Sequence, residues 1–582
     1  MGRAGTDGQG AFERRMRVAL LNCYLQGGHT ENAEVESSAR FVEAARRLGI
    51  EARIFARSED LADFQPDFVL SLSYNDAKLA GFPTYLLLTA PPRWFDALPR
   101  FRRNVLTYDG YWTVSPSVTR HVAALYAKAG KPDLSAFAAL SCARTGFVPL
   151  DFARAWAAYV GTNWDGGRHG DLFRALATGG TARFYGKRER WSHLPAEALG
   201  GEVPFDGRSV LDIYRKAGIG LCLGHADFDA AGIPTSRTFE IPAASAVMIA
   251  ARNALIEEAF GDAALYVDAG SAPEAAADAI RGHVEWVRAH PKQALAMAEA
   301  CHRAFNERFA LETMIANAVD MHRRACRALG FAPPGAAGSA AGDGAGFAAT
   351  VAIAVRDSSL RHFGRCLDSV LRQTLPAQRI VVLDATSRGR ASEAVRARAD
   401  ARHVRCRRAA RFPAGFAAQL ARAWDDVAGD WVCCISAEDV LYPNHLFAAA
   451  AAARRHGARG APPAIVYSGT VQTSDEHELP ELLHDHYNVL RSERMRLARF
   501  DFEGAGAPAA RSPLDPARCL LHVPALAGSA ARRLSRLFPP ALAARLRALA
   551  RDGHIAFTAA VTLATSDGRR RAGDGRFGLP PD

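Results

Sequence analysis

Residues 16–55 read MRVALLNCYLQGGHTENAEVESSARFVEAARRLGIEARIF. The run Met16–Cys23 is short and apolar, and it ends in the polar, glycine-bearing Gln26-Gly27-Gly28-His29. An amphipathic stretch follows from Glu34 to Leu48, and Glu51–Phe55 is a second apolar run. Strand, loop, helix and strand in this order make the βαβ unit of a parallel sheet. Further strand candidates lie at Phe68–Leu72, Thr84–Thr89 and Tyr111–Val114, so the N-terminal part reads as a doubly wound α/β domain.

The pattern then repeats. Ala158–Gly161, Arg183–Tyr185, Ile219–Leu223 and Ala246–Ala250 read as strands, with helices at Gly170–Thr178, Val210–Ala217 and Asn253–Phe260. From about Ala272 to Leu329 the pattern is helical throughout. Two successive α/β units imply facing Rossmann-like domains that bind a ligand at the carboxyl ends of their strands. Residues 331–347, FAPPGAAGSAAGDGAGF, are built almost wholly of Gly, Ala, Pro and Ser and read as a flexible linker. A third α/β series starts beyond it, with strands at Thr350–Val355, Arg379–Asp384 and Trp431–Ile435 and helices at Leu360–Gln373 and near Ala414–Val427. The expected division is 1–150, 151–330, linker 331–347, 348–566 and a polar, disordered tail over 567–582.

The chain has 582 residues, enough for about three or four folding units. No stretch approaches the roughly 18 apolar residues of a membrane span, and Met1–Arg17 carries no apolar signal core, so a cytoplasmic location is expected. The ten cysteines show neither C-x-x-C nor zinc spacing, and free, mostly buried thiols are expected. Lys and Arg exceed Asp and Glu by 72 − 61 = 11, which favours anionic partners: a nucleoside diphosphate, or the inner face of a membrane bound peripherally. Nucleic acid is not expected, because no basic run alternates with exposed aromatics.

Chemistry concentrates in residues 230–250, AAGIPTSRTFEIPAASAVMIA. A polar loop with Thr235, Ser236, Arg237 and Thr238 runs into Glu240, a small-residue helix and an apolar strand. Free N–H groups at the helix start suit a diphosphate, and Arg237 adds a forked cationic donor. Glu240 can accept hydrogen bonds from ribose hydroxyls, or it can be a helix-start carboxylate with no further role. The loop after the first strand offers His29, Glu31 and Glu34 as candidate bases, against the plainer reading of a polar loop with a helix cap. Trp94 is a candidate sugar platform, although a packed core aromatic explains it equally simply.

The Ser236-Arg237-Thr238-Phe239-Glu240 run resembles the donor-site signature of GT-B glycosyltransferases of the CgeB-like group (glycosyl transferases group 1), with one residue fewer between serine and arginine. Tyr159-Val160-Gly161-Thr162-Asn163 and Gly186 stand in family-like order. The resemblance implies that Glu240 holds the ribose, Arg237 the pyrophosphate, and Gly161, Thr162, Asn163, Gly186, Ser236 and Thr238 the rest of the donor, with His29 and Glu31 as candidate catalytic groups and no cofactor. Gly232 stands eight positions before Glu240, where many retaining members have a second glutamate, so the stereochemical course stays open.

Cys366–Thr374 (CLDSVLRQT), Ile380–Ser387 (IVVLDATS) and Ile435–Leu446 (ISAEDVLYPNHL) resemble glycosyltransferase family 2, the GT-A fold, over residues 348–500. The resemblance implies Asp384 at the nucleobase and a divalent Mg or Mn ion on the altered pair Glu438 and Asp439, with Ser436 at the first aspartate position. The expected function is transfer of a sugar from a nucleoside-diphosphate sugar to a glycan, lipid-linked saccharide or protein in bacterial surface polysaccharide or glycoconjugate synthesis. The alternatives are a saccharide- or nucleotide-binding scaffold with a degenerate second module, and a GT-B-fold nucleotide-sugar epimerase.

Overall fold

The computed structural model describes residues 15–28, 33–163, 168–331, 346–408, 422–458, 462–473, 495–499, 519–524 and 555–566. Six strands build a first sheet: β1 (Arg17–Leu21), β2 (Glu51–Phe55), β3 (Phe68–Ser71), β4 (Thr84–Leu87), β5 (Gly110–Thr113) and β6 (Ser135–Phe137). Their order is β2-β1-β3-β4-β5-β6, and every pairing is parallel. Central strands β3, β4 and β5 are buried along their whole length, as a parallel sheet with helices on both faces requires. Edge strand β2 leaves Arg53 and Ile54 exposed.

The second sheet comprises β7 (Trp156–Val160), β8 (Ala182–Tyr185), β9 (Leu199–Gly201), β10 (Gly218–Cys222), β11 (Val247–Ala251) and β12 (Leu265–Val267). Its order, β9-β8-β7-β10-β11-β12, is that of dinucleotide-binding folds, and it reverses direction between β7 and β10. Tyr159, Phe173, Phe184 and Trp191 pack one face with ring centroids 4.7–6.3 Å apart. The expected continuous helical tail is three helices, Pro273–Ala289, Pro291–Arg308 and Leu311–Leu329, each of the first two opened by proline at a position where its missing N–H costs nothing.

The last of these helices crosses back. Leu311–Leu329 packs against β6 and the helix Ala33–Arg47, and Tyr85 Oη lies 2.8 Å from His322 Nδ1. The 151–330 unit read from the sequence therefore gives its final helix to the first sheet.

The third sheet holds β13 (Ala349–Val355), β14 (Arg379–Asp384), β15 (Arg405–Arg408), β16 (Trp431–Ser436), β17 (Asp439–Leu441), β18 (Ile465–Thr473), β19 (Met495–Arg499), β20 (Leu520–His522) and β21 (Ile555–Ser566). Strands β15-β14-β13-β16 are parallel, and β20, β18, β21 and β17 continue the sheet in mixed directions. This module sits directly on the first: the Tyr442 hydroxyl donates to the Leu79 carbonyl, and Asn444 Nδ2 donates to Leu329 O at 2.9 Å. Val471 and Val561 join the apolar cluster of Phe95, Tyr111 and Val122. Most of the linker, most of the helix expected near 414–427 and the tail 567–582 lie outside the described residues. None of the ten cysteines is in a disulfide, and only Cys406 is exposed. No described helix is long and apolar enough to cross a membrane.

Candidate functional site

The carboxyl ends of the first two sheets face each other across a cleft of about 1440 Å³. Leu72, Leu87, Leu88 and Val114, at or just beyond the ends of β3, β4 and β5, line one wall; Val160, Gly161, Tyr185 and Gly186, at the ends of β7 and β8, line the other. Open α/β folds bind ligands in this position, where adjacent strands lead their loops to opposite sides.

Arg237 occupies the reversal point of the second sheet. Its Nη1 donates to Val160 O and its Nη2 to Leu223 O, both at 2.9 Å, so one guanidinium ties the ends of β7 and β10 together. The guanidinium carbon lies 4.5 Å from the Tyr159 ring centroid, a cation–π contact in a buried setting. Gly161 and Gly186 make this close packing possible. At Gly186 φ is +149°, and a Cβ there would come within 2.4 Å of Gly161 O and 2.6 Å of Trp191 Nε1.

The helix bearing Glu240 is Arg237–Ala243, and three of the N–H groups at its start are already used. Thr238 N bonds to Thr235 O, while Phe239 N and Glu240 N bond to Ser236 O, all at 3.0 Å. Positive charge in this half of the cleft comes from side chains instead: Arg168, Lys187, Arg190 and Arg237 all line it. Thr238 turns away from the cleft, fully buried, with Oγ1 3.4 Å from Cys222 Sγ; its expected donor contact gives way to core packing.

Glu240 lines the cleft and has a partner that sequence reading missed. Arg40, on Ala33–Arg47 of the first domain, donates from Nη1 to Glu240 Oε1 at 2.9 Å and from Nη2 to Glu36 Oε1 at 2.6 Å. Glu36 Oε2 in turn accepts the Gly207 N–H at 2.7 Å. Burial pushes the Glu36 carboxyl above its ordinary range, with Arg40 opposing. Spacing four residues apart on one helix face could have paired Glu36 with Arg40, but nothing local to residue 40 points to residue 240.

Of the remaining expected residues, Gly161, Thr162, Asn163, Gly186 and Ser236 all line the cleft. Asn163 adopts φ +43° and donates from Nδ2 to Arg190 O at 2.8 Å, which fixes the loop after β7. His29 and Glu31 lie outside the described residues. Glu34 lines the cleft, its carboxyl raised by burial. Trp94 also lines it, packed edge-on against His225 and Phe228 at 5.8 and 5.2 Å, with Nε1 3.1 Å from Asp227 Oδ2. His169 was not singled out from sequence; its Nε2 sits 2.8 Å from Gly224 O, just beyond the end of β10.

In the third sheet, Asp384 is fully buried and accepts four hydrogen bonds from Thr386 and Ser392, at 2.6–3.0 Å. Burial raises its carboxyl, but these four donors outweigh it and hold the group below its ordinary range. The carboxylate therefore holds its own loop rather than offering a face to a nucleobase. Glu438 and Asp439 do not fit the expected Mg or Mn ion. Glu438 accepts Ser436 Oγ at 2.7 Å and lies 3.5 Å from the Arg356 guanidinium, while Asp439 is buried and accepts Ser436 N at 2.8 Å. A guanidinium repels a metal cation and cannot ligate one. Among the described residues no group of three or more His, Cys, Asp or Glu side chains is placed to hold a metal.

The chain matches the family model described as Glycosyl transferase-like over residues 168–320, and that of Glycosyl transferase family 2 over residues 351–514. No curated protein matches it. Among solved structures it is similar to sucrose-phosphate synthase from Thermosynechococcus elongatus, at 12% identity over 53% of this chain and 99% of that one, TM-score 0.39. It is similar to AviGT4, a glycosyltransferase involved in avilamycin A biosynthesis, at 14% identity over 53% and 97%, TM-score 0.36. It is also similar to S. aureus TarS 1–349 in complex with UDP-GlcNAc, at 12% identity over 38% and 60%, TM-score 0.28. Two glycosyltransferase family models matched in tandem, the first on the sheet that carries Arg237 and Glu240 and the second on the sheet that carries Asp384, place this chain among the glycosyltransferases.

Proposed function

We propose that the first two sheets form the catalytic unit, a GT-B-type transferase that takes its sugar from a nucleoside-diphosphate sugar. The observation that carries this reading is the placement of Arg237 at the β7/β10 reversal, in a cleft wall that also holds Arg168, Lys187 and Arg190. Cations there stabilise the charge that grows on the diphosphate as the glycosidic bond to it breaks, and Arg237, held by two backbone carbonyls, needs no reorganisation during the reaction. Gly161 and Gly186 let the donor approach the strand ends, and Glu240 offers a carboxylate to the ribose hydroxyls. The acceptor hydroxyl enters from the first-sheet wall, where Glu34 is the described carboxylate able to take its proton. The acceptor classes are a glycan, a lipid-linked saccharide or a protein.

The third sheet serves as a rigid binding and positioning module. Ser436 in place of a ligating aspartate, Arg356 against Glu438 and the saturated Asp384 favour this role over a second metal-assisted transfer.

Glu240→Ala in the full chain tests the main reading. Transfer from a panel of nucleotide sugars, followed by mass spectrometry, is expected to vanish while the thermal transition persists. Undiminished transfer overturns it. Conversion of the donor without acceptor would point to epimerisation instead.

A further inference from the structure

The two walls of the cleft carry charge very unequally. Arg168, Lys187, Arg190 and Arg237 line the second-sheet wall. Among the described residues the first-sheet wall presents no Lys, Arg or His, and its charged groups are Glu34 and Glu36. Arg40 lies behind this wall, but its side chain is only 4% exposed, and its two amino groups are committed to Glu36 and Glu240. The triad of Glu36, Arg40 and Glu240 so carries two carboxylates for one guanidinium.

The rest of the first-sheet wall is apolar with a few hydroxyls. Leu72, Leu88, Ala90, Val114 and Leu140 are buried apolar residues along it, and Tyr74 and Trp94 add aromatic surface. Taking a phosphate out of water into such a setting needs compensating cations, and the described residues supply none on this side. Carboxylates facing an incoming phosphate add repulsion, which is how a site rejects a wrong partner as well as admits a right one.

From this partition we infer that the acceptor half of the cleft takes an uncharged acceptor with an apolar face, such as a sugar hydroxyl carried on an alkyl or aryl group. It does not take one whose phosphate enters the cleft. The inference rests on the donor assignment proposed above and narrows its acceptor. Lipid-linked saccharides joined through a diphosphate are excluded unless that diphosphate stays outside the cleft.

The test uses the full-length protein, a panel of nucleotide sugars and matched acceptors: alkyl and p-nitrophenyl glycosides against the same sugars as alkyl diphosphates. Donor binding and acceptor-free hydrolysis are read separately from transfer. Neutral glycosides are expected to yield product at least about tenfold faster than their diphosphate counterparts, a difference of about 1.4 kcal/mol in barrier. Product from the diphosphate series alone, or from no neutral acceptor, overturns the inference while donor consumption still supports the transferase reading. Absence of any donor binding removes both. Thr89→Lys, at an exposed position on the same wall, is expected to shift the preference toward the diphosphate acceptors. An unchanged preference ratio overturns the assignment of selectivity to wall charge.

Discussion

Arg40 Nη1 and Glu240 Oε1 meet at 2.9 Å across the cleft, with both side chains nearly inaccessible at 4% and 6% exposure. One comes from the first sheet's opening helix and the other from the helix Arg237–Ala243 beside the second sheet, so this ion pair joins the two halves of the cleft alongside the Glu36–Gly207 and Trp94–Asp227 contacts. A buried pair of this kind fixes geometry more surely than it adds stability, because desolvation offsets much of the attraction. Removing one partner is a different matter. Arg40→Met leaves two buried carboxylates uncompensated and is expected to cost about 3–5 kcal/mol. Donor affinity is expected to fall at least severalfold, since Glu240 then loses the partner that fixes its orientation. Adding Glu240→Gln to Arg40→Met is expected to restore part of the stability, with Glu36 still lacking its partner, but not the affinity; melting curves and nucleotide titrations of the three variants check both.

Gly186 is expected to tolerate no side chain. Its φ of +149° and the 2.4 Å approach of a Cβ to Gly161 O act together. Gly186→Ala should cost about 1–3 kcal/mol, and it should displace the Gly161 turn and weaken donor binding beyond its effect on melting. Retained affinity with lowered stability would separate this glycine from the site.

His322 gives the fold a pH dependence. Burial lowers its pKa from 6.5 to about 4, and Tyr85 Oη lies 2.8 Å from Nδ1. The unfolded chain binds a proton as pH falls through 6.5, whereas the folded chain resists until about 4. Stability from this site is complete above 6.5 and declines between 6.5 and 4. His322→Gln is expected to flatten the melting temperature over that interval, measured by calorimetry from pH 7 to pH 4.

Tyr442 is expected to hold the third sheet on the first. Its hydroxyl donates to Leu79 O, and its ring packs against Gly81, where an added Cβ would lie 2.9 Å from Cδ1. Tyr442→Ala removes a buried aromatic at a cost of about 3–5 kcal/mol. The thermal transition should split into two, and limited proteolysis should release a fragment ending near residue 330. A single unshifted transition would show that other contacts carry the junction.

Metal removal is expected to leave transfer intact. Arg356 stands 3.5 Å from Glu438, and no described carboxylate cluster is placed to take a cation. Product formation with and without a chelator should agree within about twofold; loss of transfer restored by Mn or Mg would contradict the geometry.

Local pattern determined a great deal here. Alternation of short apolar runs with amphipathic helices gave two parallel α/β sheets and the four parallel strands that open the third, because such strands are buried on both faces. Arg237 and Glu240 were legible through the resemblance of the Ser236–Glu240 run to a known donor signature, and the glycines at 161 and 186 through the strand-to-glycine turns before them. Tertiary structure decided what each of those groups touches. Arg237 spans residues 160 and 223, Glu240 pairs with Arg40 from 200 positions away, and the helix 311–329 returns to the first sheet. It also turned Thr238 inward and set Arg356 against Glu438, where the family resemblance had implied a donor contact and a metal pair. Sequence spacing fixes which residues share a strand or a helix face. Pairing between elements depends on how the sheets close on one another, and no local pattern encodes it.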